Sequence, residues 1–167
     1  MMVILSFTLF LAHIENEVNE PSIYRVGKNQ KFKTIKAAYD KWKADGKPEP
    51  TIIDVFPGTY KEFINGGAGN NITFRGHGKW NTFWISDTGY YPDAPFTGGP
   101  GGKELIFENM TIIASHDGTP GWSSTTCGMY ALHIDYPGAV GKTIIRDSIL
   151  VSHQDAALGS GTRGNQE

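Results

Sequence analysis

Two stretches of this chain, ELIFENMTIIAS from Glu104 and KTIIRDSILVSH from Lys142, share one plan. Each holds an apolar strand, a polar pair (Glu108-Asn109 or Arg146-Asp147) and a second apolar strand. One such unit cannot bury its own apolar face, but stacked copies can. A loosely repeated strand–kink–strand unit with insertions of varying length therefore points to a β-solenoid. The apolar residues come in runs rather than in alternation, as parallel strands covered on both faces require. A β-sandwich also gives short strands at regular spacing. It accounts neither for the runs nor for the Gly- and Pro-rich insertion from Asp87 to Lys103.

The rest of the chain fits around that unit. Ser22 to Val26 reads as a short strand. In FKTIKAAYDKWKADG, Phe32, Ile35, Tyr39 and Trp42 recur every three to four residues, which marks one apolar face of a helix. Gly46 ends that helix and Pro48 prevents its return. Ahead of a solenoid, such a helix would cap the open end of the stack. TIIDVFPGTYKEFI reads as a buried strand, a Pro-Gly turn and another short apolar segment. Further strands are expected at NITF, TFWIS (82–86), ELIF (104–107), TIIAS (111–115), YALHID (130–135), TIIRD (143–147) and ILVSH (149–153). The glycine-rich stretches at 66–71, 97–102 and 159–164 lack the Lys-Ser/Thr ending and the strand-to-helix context of a phosphate loop, so they read as turns.

Composition narrows the function classes. With 39% apolar and 19% charged residues, the 167-residue chain can build a core and suits one domain or part of a larger one. A net charge of −2 leaves no basic footprint for nucleic acid. The single cysteine, Cys127, excludes an internal disulfide framework and a Cys-cluster metal site. Met1 to Ala12 is apolar yet too short for a helical membrane span. It has the core of a signal peptide without a basic start or a small-x-small cleavage site, and it also reads as a buried strand or the end of a preceding domain. Residues 1–21 are thus expected to be an apolar N-terminal segment with an acidic linker, and 22–167 the N-terminal part of a solenoid domain. GSGTRGNQE, at the other end, is a turn with no following strand. A solenoid needs its last coil covered, so the expectation is a fold incomplete at its C-terminus or assembled with other chains.

Several phrases together resemble one family. Phe32-Lys33-Thr34-Ile35-Lys36-Ala37-Ala38 resembles the F-x-T-I-x-x-A opening of pectin methylesterases and related pectin-lyase-like proteins. Gly58-Thr59-Tyr60-Lys61-Glu62 resembles their G-T-Y-x-E segment, and Phe107 to Ile112 their f-x-N-l-T-I coil. Ala131-Leu132-His133-Ile134 looks like A-L-r-v, and Gln154-Asp155-Ala156-Ala157-Leu158 like Q-D-T-L. The order and approximate spacing hold from about Ile23 to the end. The resemblance implies an all-β, right-handed parallel β-helix with ester chemistry on galacturonan. It implies Gln154 as an oxyanion donor and Asp155 as the general acid. The family's first glutamine falls at Gly128, and its nucleophilic aspartate and its arginine have no matched position here.

The residue types suit that chemistry. A carboxylate nucleophile needs a second carboxyl group held protonated, and the developing oxyanion needs donors aimed at it, such as a glutamine amide. On a straight strand Gln154 and Asp155 would face opposite ways, so both reach one substrate only if the chain turns there. The competing reading is a polar turn, with Asp155 bonding local backbone N–H groups.

Trp80, Trp84, Tyr90, Tyr91, Phe96 and Trp122 cluster around the glycine-rich insertions. Tyr90, Tyr91 and Trp122 sit in loop contexts and are candidates to stack on sugar rings, with packing under the loops as the alternative. Trp84 is expected in the core. His116 and His153 end equivalent strands beside aspartates, but a third metal ligand is not evident and solvated loop histidines are the simpler reading. His133 alternates with Leu132 and is expected to face outward. No cofactor is implied.

Two readings follow. The first is a pectinesterase-like, secreted hydrolase of a polysaccharide. The second is a non-catalytic glycan-binding β-helix of a phage tail or cell surface, oligomeric if it belongs to a virion. A purely structural scaffold is the third class. Nucleic acid and a stable membrane span are not expected.

Overall fold

The protein is described from a computed structural model, which covers residues 19–86, 94–115, 130–134, 140–152 and 158–159. Among the described residues it is a parallel β-helix with one helix near its start. β1 (Ser22–Val26) and α1 (Ile35–Ala44) lead into four three-strand coils. Coil 1 holds β2 (Thr51–Val55), β3 (Gly58–Lys61) and β4 (Ile64–Gly67). Coil 2 holds β5 (Thr73–Gly76), β6 (Thr82–Ser86) and β7 (Phe96–Gly98). Coil 3 holds β8 (Gly101–Glu108), β9 (Thr111–Ala114) and β10 (Leu132–His133). Coil 4 holds β11 (Val140–Arg146), β12 (Ile149–Ser152) and β13 (Leu158–Gly159). Stacking the coils makes three parallel sheets. The first is β1-β2-β5-β8-β11, the second β3-β6-β9-β12 and the third β4-β7-β10-β13.

The sequence repeat is the stacking repeat. Lys142 pairs with Glu104 and Arg146 with Glu108 across β11 and β8. Ile149 pairs with Thr111 and Ser152 with Ala114 across β12 and β9. The polar kinks turn the chain from the first sheet to the second by a left-handed residue, Asn109 at φ 57° and Asp147 at φ 50°. Asparagine and aspartate tolerate that region because their short side chains bond locally.

α1 buries Ile35, Ala38, Tyr39 and Trp42 as the periodicity predicts, but Phe32, the first residue of the expected face, precedes the helix and bridges to Val26. The Thr34 hydroxyl accepts from the Ala37 N–H as N-cap. Both oxygens of Glu62 accept from the next exposed donors, the N–H groups of Ile35 (2.8 Å) and Lys36 (2.7 Å). Two of the quoted phrases, F-x-T-I and G-T-Y-x-E, thus meet at the start of α1 and satisfy its unpaired N–H groups. Their roles here are in folding. Burial pushes the Glu62 carboxyl above the usual range, and the Lys36 and Ile35 N–H groups pull it partway back. Gly46, at φ +81°, lets the chain leave α1. The helix packs over β1 and β2 at the start of the stack.

The interior is aromatic. Phe74 and Phe107, register partners on neighbouring coils, stack at 5.2 Å and 7°. Phe96 meets both edge-on at 5.4 Å. Trp84 is fully buried against Phe74 at 5.3 Å, the core position expected of it. Where the third sheet returns to the first, Asn70 is buried and fully engaged. It accepts from the Tyr39 hydroxyl (2.5 Å) and donates to the Gly67 and Gly99 carbonyls. The glycine-rich turns lie on one another at this return. A Cβ on Gly101 would sit 2.5 Å from the Gly69 Cα, so only glycine fits.

One difference from expectation is informative. The glycine-rich insertion after Asp87 contains β7 and the first residues of β8, and the short apolar segment after the Pro-Gly turn divides into β3 and β4. Third-sheet strands are two to four residues long, and each contributes one inward side chain, so no periodicity forms.

Candidate functional site

The connections between sheets are unequal. From the first sheet to the second they stay short, at 56–57, 77–81, 109–110 and 147–148. From the second to the third they are 62–63 in coil 1, then 87–95, 115–131 and 153–157. The two longest connections, nine and seventeen residues, both fall at this corner. Loops carried on a rigid scaffold are where binding and catalytic residues concentrate.

All five residues singled out from the sequence belong to these connections. Tyr90 and Tyr91 fall between β6 and β7, Trp122 between β9 and β10, and Gln154 and Asp155 between β12 and β13. All five lie outside the described residues, as do Gly128, His116 and His153. Gln154 and Gly128 each stand four positions ahead of paired residues, Leu158 and Leu132. β12 is described to Ser152 and β13 from Leu158 on another sheet, with Gln154 and Asp155 between them in sequence.

The described part of this region is the third sheet. Ile64, Phe96, Leu132 and Leu158 form one in-register column, and the first three are buried in the core. The alternate column, Asn65, Thr97, His133 and Gly159, lies on the sheet's outer side. That side is partly covered. Asn65 is exposed, whereas Thr97 and His133 are only 8% exposed. His133 alternates with Leu132 as expected, yet it is buried, and Tyr130 stacks on its ring at 5.0 Å and 16°. The Thr97 hydroxyl is buried with no hydrogen-bond partner among the described residues. A buried hydroxyl on the outer side of a sheet is a polar group whose hydrogen-bonding capacity remains to be met. Sequence reasoning missed Asn65 and Thr97, because strands this short leave no pattern.

A second polar cluster lies on the first sheet. Asp54 Oδ1 accepts from Arg75 Nε (3.2 Å) and stands 3.0 Å from His77 Nε2. Phe56 stacks on the His77 ring at 4.3 Å. With Gly76, Gly78 and Asn109 these groups line a shallow recess of about 340 Å³. Arg75 and His77 converge on one Asp54 oxygen, which suits a structural network. Among the described residues, no group of three or more His, Cys, Asp or Glu is placed to hold a metal ion, and no helix is long and apolar enough to cross a membrane.

Three parallel sheets built from stacked coils, with a leading helix, define a parallel β-helix. The same fold occurs in the structure of pectin methylesterase PemA from Erwinia chrysanthemi, with a TM-score of 0.59 and 17% sequence identity. That match covers 83% of this chain and 45% of that one, so this chain spans less than half its length. No protein-family model and no curated protein matches this sequence.

Proposed function

We propose that this chain acts on an acidic polysaccharide, and that its chemistry is hydrolysis of galacturonan methyl esters. One observation carries the reading: the second-to-third-sheet connections are longer in coils 2 to 4 than in coil 1, and they hold Tyr90, Tyr91, Trp122, Gln154 and Asp155. The likeness of fold to a pectin methylesterase agrees with it. In this reading the Tyr and Trp rings stack on sugars. The Gln154 amide donates to the oxyanion of the tetrahedral intermediate, and Asp155, held protonated, gives its proton to the departing methoxide. The nucleophilic carboxylate has no matched position in this sequence.

The second reading, glycan binding without catalysis, is favoured by Gly128, which offers no side-chain donor where the family has glutamine. Loss of one oxyanion donor costs about 2.7–4 kcal/mol of transition-state stabilisation. Two assays separate the readings. Methanol release from methyl-esterified pectin, abolished by Asp155→Asn, supports the ester reading. Retention on polygalacturonate without methanol release replaces it with binding, and neither activity discards both.

A further inference from the structure

The outer side of the first sheet carries a ladder of charge. Arg25 pairs in register with Asp54, Asp54 with Arg75, Arg75 with Glu108, and Glu108 with Arg146. Opposite charges facing each other across strands stabilise the stack. The rungs are unequally used. Arg146 gives Nε and a terminal nitrogen to Glu108. Arg75 gives only Nε, to Asp54 Oδ1, and its terminal nitrogens meet no acceptor among the described residues. The exposed Arg25 side chain meets none there either, and Asp54 Oδ2 meets no donor. Across β1, β2 and β5 two arginines thus flank one carboxylate, an excess of one cation.

The turn beside these groups is the long one of its corner. The other described connections from the first sheet to the second have two residues, whereas 77–81 has five. Its backbone is fixed from both neighbouring coils. The Gly78 N–H donates to the Asn109 carbonyl at 3.0 Å, and the Asn81 carbonyl accepts from the Gly58 N–H at 2.8 Å. Within the turn the Asn81 and Thr82 N–H groups both donate to the Gly78 carbonyl, and the Thr111 hydroxyl donates to the Lys79 carbonyl. Trp80 stands on this fixed turn 72% exposed. A large ring held out on rigid backbone loses little freedom when a ligand covers it.

We propose that the recess lined by Asp54, Arg75, His77 and Asn109 is a second saccharide site, and that it takes a uronate unit. The sugar carboxylate accepts from the free terminal nitrogens of Arg75, and Arg25 supplies further positive charge one rung past Asp54. A ring hydroxyl donates to Asp54 Oδ2. Trp80, two residues beyond the lining Gly78, stacks on the saccharide. Donor and acceptor side by side select the ligand. An inorganic anion is repelled by the Asp54 carboxylate, whereas a hydroxy acid satisfies both groups. The recess, about 340 Å³, lies at the small end of ligand pockets and suits one sugar ring, with its neighbours running along the surface. This site uses none of the long connections, so it stands independently of the ester chemistry proposed above.

Trigalacturonate is titrated by calorimetry onto protein carrying Tyr90→Ala, Tyr91→Ala and Trp122→Ala, so that the long connections do not mask the result. Saturable binding is expected, about tenfold tighter than for neutral galactotriose and weakening as salt is raised. Adding Trp80→Ala should weaken it about tenfold, and adding Arg25→Gln about threefold. Both side chains are exposed and make no hydrogen bond or ion pair among the described residues, so a folding defect does not imitate the loss. Methanol release from esterified pectin is read separately, so this site and the ester reading fail independently. No binding of trigalacturonate, equal binding of galactotriose, equal binding of inorganic phosphate, or binding untouched by Trp80→Ala and Arg25→Gln would overturn the proposal.

Discussion

Strands of the first sheet run as long as Gly101–Glu108, whereas those of the third reach no further than Ile64–Gly67 and shrink to Leu132–His133. The first sheet sends side chains both ways. Phe74 and Phe107 enter the core, while the Arg–carboxylate ladder orders the outside. The third sheet anchors each coil with one inward residue, and its connections take up the insertions. Coil identity is thus encoded on one sheet, and room for variation is left on another. The same division separates residues that hold the fold from residues proposed to meet the ester substrate.

The sharpest test is whether the third sheet's single anchors matter as much as the first sheet's. Phe96 and Phe74 are both fully buried and touch each other and Phe107. Phe96→Ala and Phe74→Ala should each cost about 3–5 kcal/mol in urea unfolding. Leu158→Ala, at the 38% exposed end of the same anchor column, should cost under about 1 kcal/mol. A mild Phe96→Ala would break the comparison, because the third sheet would then not be anchored at all.

That division also explains what could be read in advance. The repeat at Glu104 and Lys142 is legible because long strands on two sheets show apolar runs and a kink. The helix is legible from Ile35, Tyr39 and Trp42. β4 and β7 are not, since INGG and FTG each hold one large apolar residue among glycines. The aromatic and polar candidates were legible only as residue types in loops, and the resemblance placed Gln154 and Asp155. Asn65, Thr97 and the buried setting of His133 required the register itself. Pairing across coils joins residues about thirty positions apart, which local pattern cannot supply.

Asn70 joins the two sheets at their return corner. Asn70→Ala removes one of the Tyr39 hydroxyl's two acceptors, leaving the Gly66 carbonyl at 3.1 Å, and takes one donor each from the Gly67 and Gly99 carbonyls. The expected loss is about 2–3 kcal/mol, given three buried hydrogen bonds at roughly 1 kcal/mol each. Asn70→Asp should not rescue it, since a carboxylate cannot donate to those carbonyls.

Glu62 stands between β3 and β4 in coil 1, in the place where later coils hold their long connections. There its carboxylate caps α1, and Glu62→Ala should cost about 1–2 kcal/mol. The pH dependence has a definite sign. Because the folded-state value is raised, the group's contribution is full below the ordinary glutamate range and is lost as pH rises through the raised value. Thermal melts across that window should show the wild type losing stability relative to Glu62→Gln. The opposite trend would mean that the helix N–H groups outweigh burial.

The smallest effect is expected at the end of the charge ladder. Arg146 is 56% exposed, so water screens much of its attraction to Glu108. Arg146→Gln should lower stability by no more than about 1 kcal/mol, less at high salt. Asp54→Asn lies further inside the stack and weakens contacts to both Arg75 and His77, so it should cost more and depend less on salt. If the two cost the same and respond alike to salt, the ladder is a row of independent surface pairs. If the inner rung costs more, the row is coupled, and the first sheet draws part of its order from the outside as well as from the core.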